Sequence, residues 1–261
     1  MLTAAYIVSF TGMILLPILA WIYFAHKFSL SWKLLLAGGL AFIASQIPHI
    51  PLTIVLAPAL KSWSFLTDAI VLGLLAGLFE ETARYILFKF ILKKSRTWQE
   101  GIFVGLGHGG TEAIILGILA GVSFARMLAL RNVDLATVPS IPADQLALAR
   151  QQLAAFWSTP AYIAILGVVE RIFAVCLHVS LSVMVLYGIA VNKPAWYGLA
   201  VLWHTIVDGI AAYLGLLKVN TLTMEGLIGL MAIASIGLVF ALRGKFPAAA
   251  PEVAPMEINN P

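Results

Sequence analysis

The chain has 261 residues, of which 61% are hydrophobic and only 11% are charged, less than half the charged share usual in soluble domains. Its mean hydropathy of +0.98 excludes a soluble globular fold, because such a fold could not remove that much apolar surface from water. The net charge of +4 comes mostly from basic residues between apolar runs, which predicts an integral protein of the cell membrane rather than a nucleic-acid binder.

Seven apolar runs are long enough to cross a bilayer, which takes roughly 20 helical residues. In chain order they cover residues 2–24, 34–57, 66–90, 100–127, 160–190, 195–217 and 222–242. We therefore predict an all-α fold, a polytopic transmembrane helix bundle with about seven spanning helices, as a single domain over residues 1–245. Pro48 and Pro51 predict a kink or a break in the second span.

Two segments outside the spans have predictions of their own. The longest loop, residues 130–158, is interrupted by two prolines, and its part from Asp144 to Trp157 has the apolar anchors of a short interfacial helix. The tail, residues 246–261, is rich in Pro, Ala, Glu and Asn, which predicts disorder. Membrane lipids are thus the first expected partners, and nothing in the sequence predicts an oligomeric state.

Basic residues in the loops predict the orientation, because they accumulate on the cytoplasmic side of a membrane. With the N-terminus outside, nine basic residues fall inside and five fall outside. The inner set is Lys27, Lys33, Lys89, Lys93, Lys94, Arg96, Lys193, Arg243 and Lys245, and the outer set is Lys61, Arg126, Arg131, Arg150 and Lys218. We therefore expect an N-out, C-in topology.

Five carboxylates and three histidines lie inside the predicted spans. They are Glu80, Glu81, Glu112, Glu170, Asp208, His108, His178 and His204. Each ionised carboxylate at mid-bilayer costs about 2.5–3.5 kcal/mol. Arg84 and Arg171 balance only two of the five, so protons, a divalent cation or a water-filled cavity must balance the other three.

Spacing along the helices predicts that these groups meet. Residues four apart lie on one helix face. Three pairs have this spacing: Glu80 with Arg84, His108 with Glu112, and His204 with Asp208. Counted from the predicted inner helix ends, Glu80, His108 and His204 all lie roughly 12–14 Å deep at 1.5 Å per residue, and His178 lies somewhat deeper. We expect their side chains to converge on one site, which water reaches from the inner face.

Four motifs on successive polar spans resemble those of a known group of membrane proteases. The run Phe79-Glu80-Glu81-Thr82-Ala83-Arg84-Tyr85 is similar to the first motif of the CAAX-protease, bacteriocin-processing and PrsW superfamily. The run His204-Thr205-Ile206-Val207-Asp208 is similar to its last motif. Gly107-His108-Gly109-Gly110-Thr111-Glu112, and Glu170-Arg171 followed by His178, resemble the YhfC-type intramembrane metalloproteases. The resemblance covers roughly residues 70–215 and does not extend to prenylated substrates.

The resemblance implies an intramembrane endopeptidase that hydrolyses peptide bonds with a glutamate-activated water held by zinc. Its substrate would be a peptide or a membrane protein. Glu80, or Glu81, would take the proton of that water. Arg84 would hold the partner carboxylate, although a simple buried salt bridge explains the same spacing.

The resemblance also implies that His108, His204 and Asp208 bind the metal or polarise the scissile carbonyl. Glu112 and His178 are further candidate ligands, and no other cofactor-binding residues are predicted. Zinc suits buried histidines beside an excess of carboxylates, and a metal-free mechanism stays open. Each pair also has a structural interpretation, in which Glu112 bonds His108 between helices and Asp208 only orients His204.

Two functions outside proteolysis fit the same pattern. A non-catalytic scaffold of this fold is one, as in the gamma-secretase subunit called anterior pharynx defective, and it predicts no metal. An ion- or proton-coupled transporter is the other, since buried acids and histidines often mark ion pathways. A transporter predicts an inverted repeat, and the sequence shows none.

Overall fold

The computed structural model describes residues 1–60 and 62–247, and these contain helices and no strand. The eight α-helices are α1 (Leu2–Phe28), α2 (Trp32–Leu60), α3 (Phe65–Ile86), α4 (Trp98–Leu130), α5 (Leu146–Ser158), α6 (Ala161–Ala190), α7 (Ala195–Leu216) and α8 (Thr221–Arg243). The predicted all-α fold is confirmed. Lys61, counted above with the outer charges, and residues 248–261 of the predicted disordered tail lie outside the described residues.

The seven long helices follow the predicted spans in number and order. Six of them are long and apolar enough to cross a membrane. The seventh, α3, has 22 residues but carries four charged ones, Asp68, Glu80, Glu81 and Arg84. The chain is therefore a polytopic membrane protein, as predicted.

The helix α2 runs from Trp32 to Leu60 through three prolines, so the break considered at Pro48 and Pro51 does not occur. Transmembrane helices tolerate proline because neighbouring helices and side chains satisfy the freed backbone groups. The helix α3 continues beyond Ile86 into one π-helical turn, Leu87–Ile91. The span predicted for residues 66–90 thus combines two helix types.

The short helix predicted for residues 144–157 is α5. None of its residues is buried, as expected for a surface helix. Its Phe156 stacks on Tyr6 of α1 with ring centroids 4.6 Å apart. Trp157 lies under the guanidinium of Arg131, 4.2 Å from the ring centroid. These aromatic contacts hold α5 against the end of the bundle where α1 begins.

The helix α4 packs between α1, α2 and α6, and all residues from 101 to 110 are buried. Glycines allow the backbones to touch. A Cβ added to Gly38 of α2 would lie 2.1 Å from the Val104 carbonyl oxygen. A Cβ added to Gly107 would lie 2.1 Å from the Leu35 carbonyl oxygen. Small residues at helix contacts serve the same purpose throughout membrane bundles, and here they fix the position of His108.

The helix α3 packs chiefly against α7. Gly73 and Gly77 of α3 face this contact, where a Cβ would lie 2.6 Å from the Thr205 carbonyl oxygen and 2.8 Å from the Val201 carbonyl oxygen, respectively. Only glycine permits this approach without a shift of one helix. The contact brings the polar turn of α3 against the turn of α7 that carries His204.

Candidate active site

Four helices place buried polar side chains in one group, here called the polar cluster. Its members are Glu80, Glu81 and Arg84 of α3, His108 and Glu112 of α4, His178 of α6 and His204 of α7. Asp208 of α7 lies at its edge, with Oδ2 3.3 Å from Nε2 of His204. The structure therefore brings together all the residues that the sequence analysis assigned to the site.

Glu80 occupies the centre of the polar cluster. Its Oε2 lies 3.0 Å from Nε2 of His108, 3.8 Å from Nδ1 of His178 and 3.9 Å from Nε2 of His204. Its Oε1 accepts a hydrogen bond of 3.2 Å from the side-chain amide of Gln46. One carboxylate thus faces histidines from three other helices.

Glu81 points to a different set of partners, because adjacent residues on a helix diverge by about 100°. Its Oε1 accepts hydrogen bonds from the Arg84 guanidinium and, at 2.8 Å, from Nδ1 of His204. Arg84 also places one guanidinium nitrogen 2.6 Å from Nδ1 of His178. Glu81 and Arg84 are therefore the ion pair that holds α3, α6 and α7 together.

Two histidines each have one ring nitrogen fixed by a carboxylate. Nε2 of His178 lies 2.5 Å from Glu112, and Nδ1 of His204 lies 2.8 Å from Glu81. Since an ionised carboxylate only accepts hydrogen bonds, these nitrogens carry the proton, and in a neutral ring the other nitrogen has a lone pair. Nδ1 of His178 is thus left to accept from Arg84 at 2.6 Å, whereas Nε2 of His204 faces a second carboxylate, that of Asp208, at 3.3 Å. Both of these atoms also face Glu80, at 3.8 and 3.9 Å.

A second ion pair continues from Glu112 towards the bundle surface. Arg171 of α6 donates to Glu112 at 2.7 Å and also to its neighbour Glu170. This arginine and glutamate reach the polar cluster only through Glu112, which is compatible with a structural role.

The chain matches a family of membrane proteins over a range that includes the polar cluster. The YhfC intramembrane metalloprotease family matches residues 12–230, a range that contains the whole cluster. The chain belongs to this family. The "Uncharacterized membrane protein YhfC" of Bacillus subtilis (strain 168) is 28% identical over 242 residues, which cover 85% of this chain and 89% of the relative. No solved structure matches the chain.

The donor set of this YhfC-family protein fits a divalent metal. Glu80, His178 and His204 each offer one ligand atom, and these atoms all lie within 4.8 Å of one another. Two ligands of a tetrahedral zinc lie roughly 3.4 Å apart, so metal binding would draw these atoms together and would replace the contact of Arg84 with Nδ1 of His178. Of the other predicted ligands, His108 contacts Glu80, Glu112 contacts His178, and Asp208 contacts His204.

Charge and unmet hydrogen bonding agree with that fit. With neutral histidines, the carboxylates of Glu80, Glu81 and Asp208 against the one Arg84 guanidinium leave two negative charges. Within the described residues, Oε2 of Glu81, Nε of Arg84 and Nδ1 of His108 are buried without a hydrogen-bond partner. Each such atom costs about 1–3 kcal/mol, so the cluster has capacity for a polar ligand.

Gln46 is the site residue that the sequence analysis missed. It lies in α2, and its amide bonds both Glu80 and Ser45. A search for ionisable side chains within spans does not find an amide. A polar amide in the middle of an apolar run, two residues before a proline, was the available signal.

Proposed function

We propose that the protein is an intramembrane metalloendopeptidase that hydrolyses peptide bonds of membrane proteins or membrane-bound peptides. The observation that carries the proposal is the buried carboxylate of Glu80 facing His108, His178 and His204 from three other helices. Membership of the YhfC intramembrane metalloprotease family supports the same class of chemistry.

Glu80 is the general base in this proposal. Its side chain is 7% exposed, whereas that of Glu81 is 0% exposed and bonded to Arg84. The hydrogen bonds from Gln46 and His108 hold the Glu80 carboxylate in place without closing off either oxygen completely. A carboxylate so placed can take a proton from a water within hydrogen-bonding distance, which is the usual role of a general base.

His178 and His204 would hold a divalent metal beside the Glu80 carboxylate, with zinc the expected ion. When bound, the metal would supply a Lewis acid that polarises the scissile carbonyl. Glu112 and Glu81 each bond one ring nitrogen and leave the other facing Glu80, as carboxylates behind metal-binding histidines do. Arg84 pairs with Glu81 and so holds that carboxylate in place.

The transporter alternative has less support. It requires a polar route through the whole bilayer. Residues 101–110 of α4 and 177–186 of α6 are buried at every position, and most of them are apolar. This packing closes one end of the bundle beside the polar cluster.

The decisive experiment is proteolysis by purified protein in lipid nanodiscs. A reporter substrate with a single transmembrane segment should be cleaved by the natural chain. Cleavage should stop with a zinc chelator and return with added zinc. It should be absent from Glu80→Gln. A natural chain that binds no metal and cleaves no member of a library of transmembrane segments would favour the scaffold function instead.

A further inference from the structure

The two ends of the bundle differ in how the polar cluster is covered. At one end of the bundle, α6 and α8 begin and α7 ends; we call this the open end. At the opposite end, α4 begins and both α6 and α8 stop; we call this the closed end. At the closed end, Trp98 of α4 donates to the Val239 carbonyl of α8 at 2.7 Å. Phe103, Leu181 and Leu186 are completely buried there.

Charged side chains lead from the polar cluster towards the open end. One chain of contacts runs from His178 through Glu112 and Arg171 to Glu170. Another contact joins His204 to Asp208. The side chains of Glu170 and Asp208 are 38% and 41% exposed. Polar groups therefore connect the buried histidines to the surface on this side.

Those two exposed carboxylates lie well inside the helices. Glu170 is nine residues from the start of α6, and Asp208 is eight residues from the end of α7, roughly 12–14 Å at 1.5 Å per residue. Facing hydrocarbon there would cost each ionised group about 2.5–3.5 kcal/mol. The exposed parts of both side chains must therefore face water.

A cleft between α6, α7 and α8 offers the space for that water. A cavity of about 60 Å³ lies there, lined by Glu170, Arg171, Asp208 and Ser235 among others, and it can hold a few water molecules. Glu225 of α8 lies one turn from the open end, buried, and its Oε2 has no hydrogen-bond partner within the described part of the chain. By contrast, the groove of about 650 Å³ between α2 and α3 has almost wholly apolar walls.

We infer that the cleft between α6, α7 and α8 is the water inlet of the polar cluster, opening at the open end of the bundle. The inference rests on the proposed function, because the water that enters through the cleft would be the second substrate of peptide hydrolysis. With the predicted N-out orientation, the open end faces the outside. The inlet then lies opposite to the inner entrance that the sequence led us to expect.

Thiol labelling tests the inlet without any assay of proteolysis. In a Cys176→Ala background, Ala174→Cys and Ala211→Cys place a thiol in the lining of the cleft. Ile172→Cys and Ile210→Cys are the matched controls. Ile172 and Ile210 lie at nearly the same depths as Ala174 and Ala211, but outside the cleft, and they are 44% and 37% exposed. The probe is 2-(trimethylammonio)ethyl methanethiosulfonate, a charged reagent, applied to protein in lipid nanodiscs.

The cleft thiols should react at least about tenfold faster than the controls, because the reactive thiolate forms in water and not in lipid. Ala211→Cys, nearer the open end, should react faster than Ala174→Cys. Equal or slower rates in the cleft, in variants whose size-exclusion profile matches the parent, would overturn the inlet. Fast labelling with no proteolysis would leave the inlet standing and remove the protease function. Proteolysis by a protein whose cleft thiols do not react would support the protease function and overturn the inlet.

Discussion

The Oε2 atom of Glu80 lies 3.0 Å from Nε2 of His108, which joins α3 to α4 deep inside the bundle. Gln46 of α2 holds the other oxygen of the same carboxylate. Three helices thus fix the orientation of one acid before any substrate arrives. Such fixed polar groups need little reorganisation during a reaction, which is the main advantage of a folded active site over water.

Substitutions of the two adjacent glutamates should have different effects, one on cleavage and the other on stability. Glu80→Gln removes the base but keeps the hydrogen bonds of the side chain, so cleavage should fall by about 10²–10⁴-fold with the fold and the bound metal intact. Glu81→Gln takes the carboxylate from a fully buried guanidinium and should cost about 3–5 kcal/mol of stability. Cleavage rates, melting temperatures and metal content measure the difference. Full activity in Glu80→Gln with loss in Glu81→Gln would reverse the two roles, and loss of metal from Glu80→Gln would make Glu80 a ligand.

Purified protein should contain one divalent metal per chain, with zinc expected. His178→Ala and His204→Ala should each lose it, because each ring places one nitrogen within 4 Å of Glu80. His26→Ala is the control, since His26 is exposed at the end of α1 and should leave the metal in place. Elemental analysis by mass spectrometry gives the result. If the natural chain contains no metal and binds no added zinc, the metal-free mechanism or the scaffold function gains support.

Arg171 should matter through its contact with Glu112. Arg171→Ala leaves Glu112 without its ion pair and loosens the orientation of His178, so zinc affinity and cleavage should fall by about 10–100-fold. Arg150→Ala breaks only an exposed salt bridge to Asp134, which should be worth about 0–1 kcal/mol, and should change neither quantity. Zinc titration followed by cleavage assays compares the two. An Arg171→Ala protein with unchanged zinc affinity would leave Arg171 a structural role alone.

The close contact of α3 with α7 predicts the effect of a single methyl group. Gly77→Ala places a Cβ 2.8 Å from the Val201 carbonyl oxygen, so the helices must separate, and stability should fall by about 1–3 kcal/mol. Cleavage should fall too, because His204 moves away from Glu80. Gly198→Ala in α7 meets no atom within 4 Å and is the control. Equal melting temperatures for the two variants would show that the contact adapts without cost.

The N-out, C-in topology is open to direct measurement. Green fluorescent protein fused to the C-terminus should fluoresce, because it folds only inside the cell. Alkaline phosphatase inserted into the loop of residues 130–158 should be active, because it requires the outside. The opposite pattern of signals would place the open end of the bundle inside the cell.

Much of the site could be predicted because charged residues are so conspicuous in apolar spans. Helical spacing predicted that Glu80 lies beside Arg84 and that His204 lies beside Asp208, and both pairs are in contact. Contacts between helices were harder, because they depend on how each helix is rotated. The contact of Arg84 with His178, 94 residues away, follows from packing around glycine and not from any local pattern.

His178 illustrates how a depth becomes too large when it is counted from a loop residue beyond the helix end. Counting from Lys193 placed His178 deeper than Glu80. The helix α6 ends at Ala190, and Nδ1 of His178 lies 3.8 Å from Glu80, so the two residues share one level. The partner of Glu112 also differs from the expected one. Glu112 bonds His178 of the next spanning helix rather than His108 of its own helix.

The pairing of α3 with α7 has a consequence for how the chain is made. Glu81 and His204 are 123 residues apart, so a ribosome releases α3 long before its main neighbour exists. Until then, each of its carboxylates opposes insertion by about 2.5–3.5 kcal/mol, with Arg84 as the one oppositely charged residue of the helix. The span that carries Glu80 is thus the one whose insertion depends most on the rest of the chain, and a nascent protein cannot assemble its polar cluster until α7 has left the ribosome.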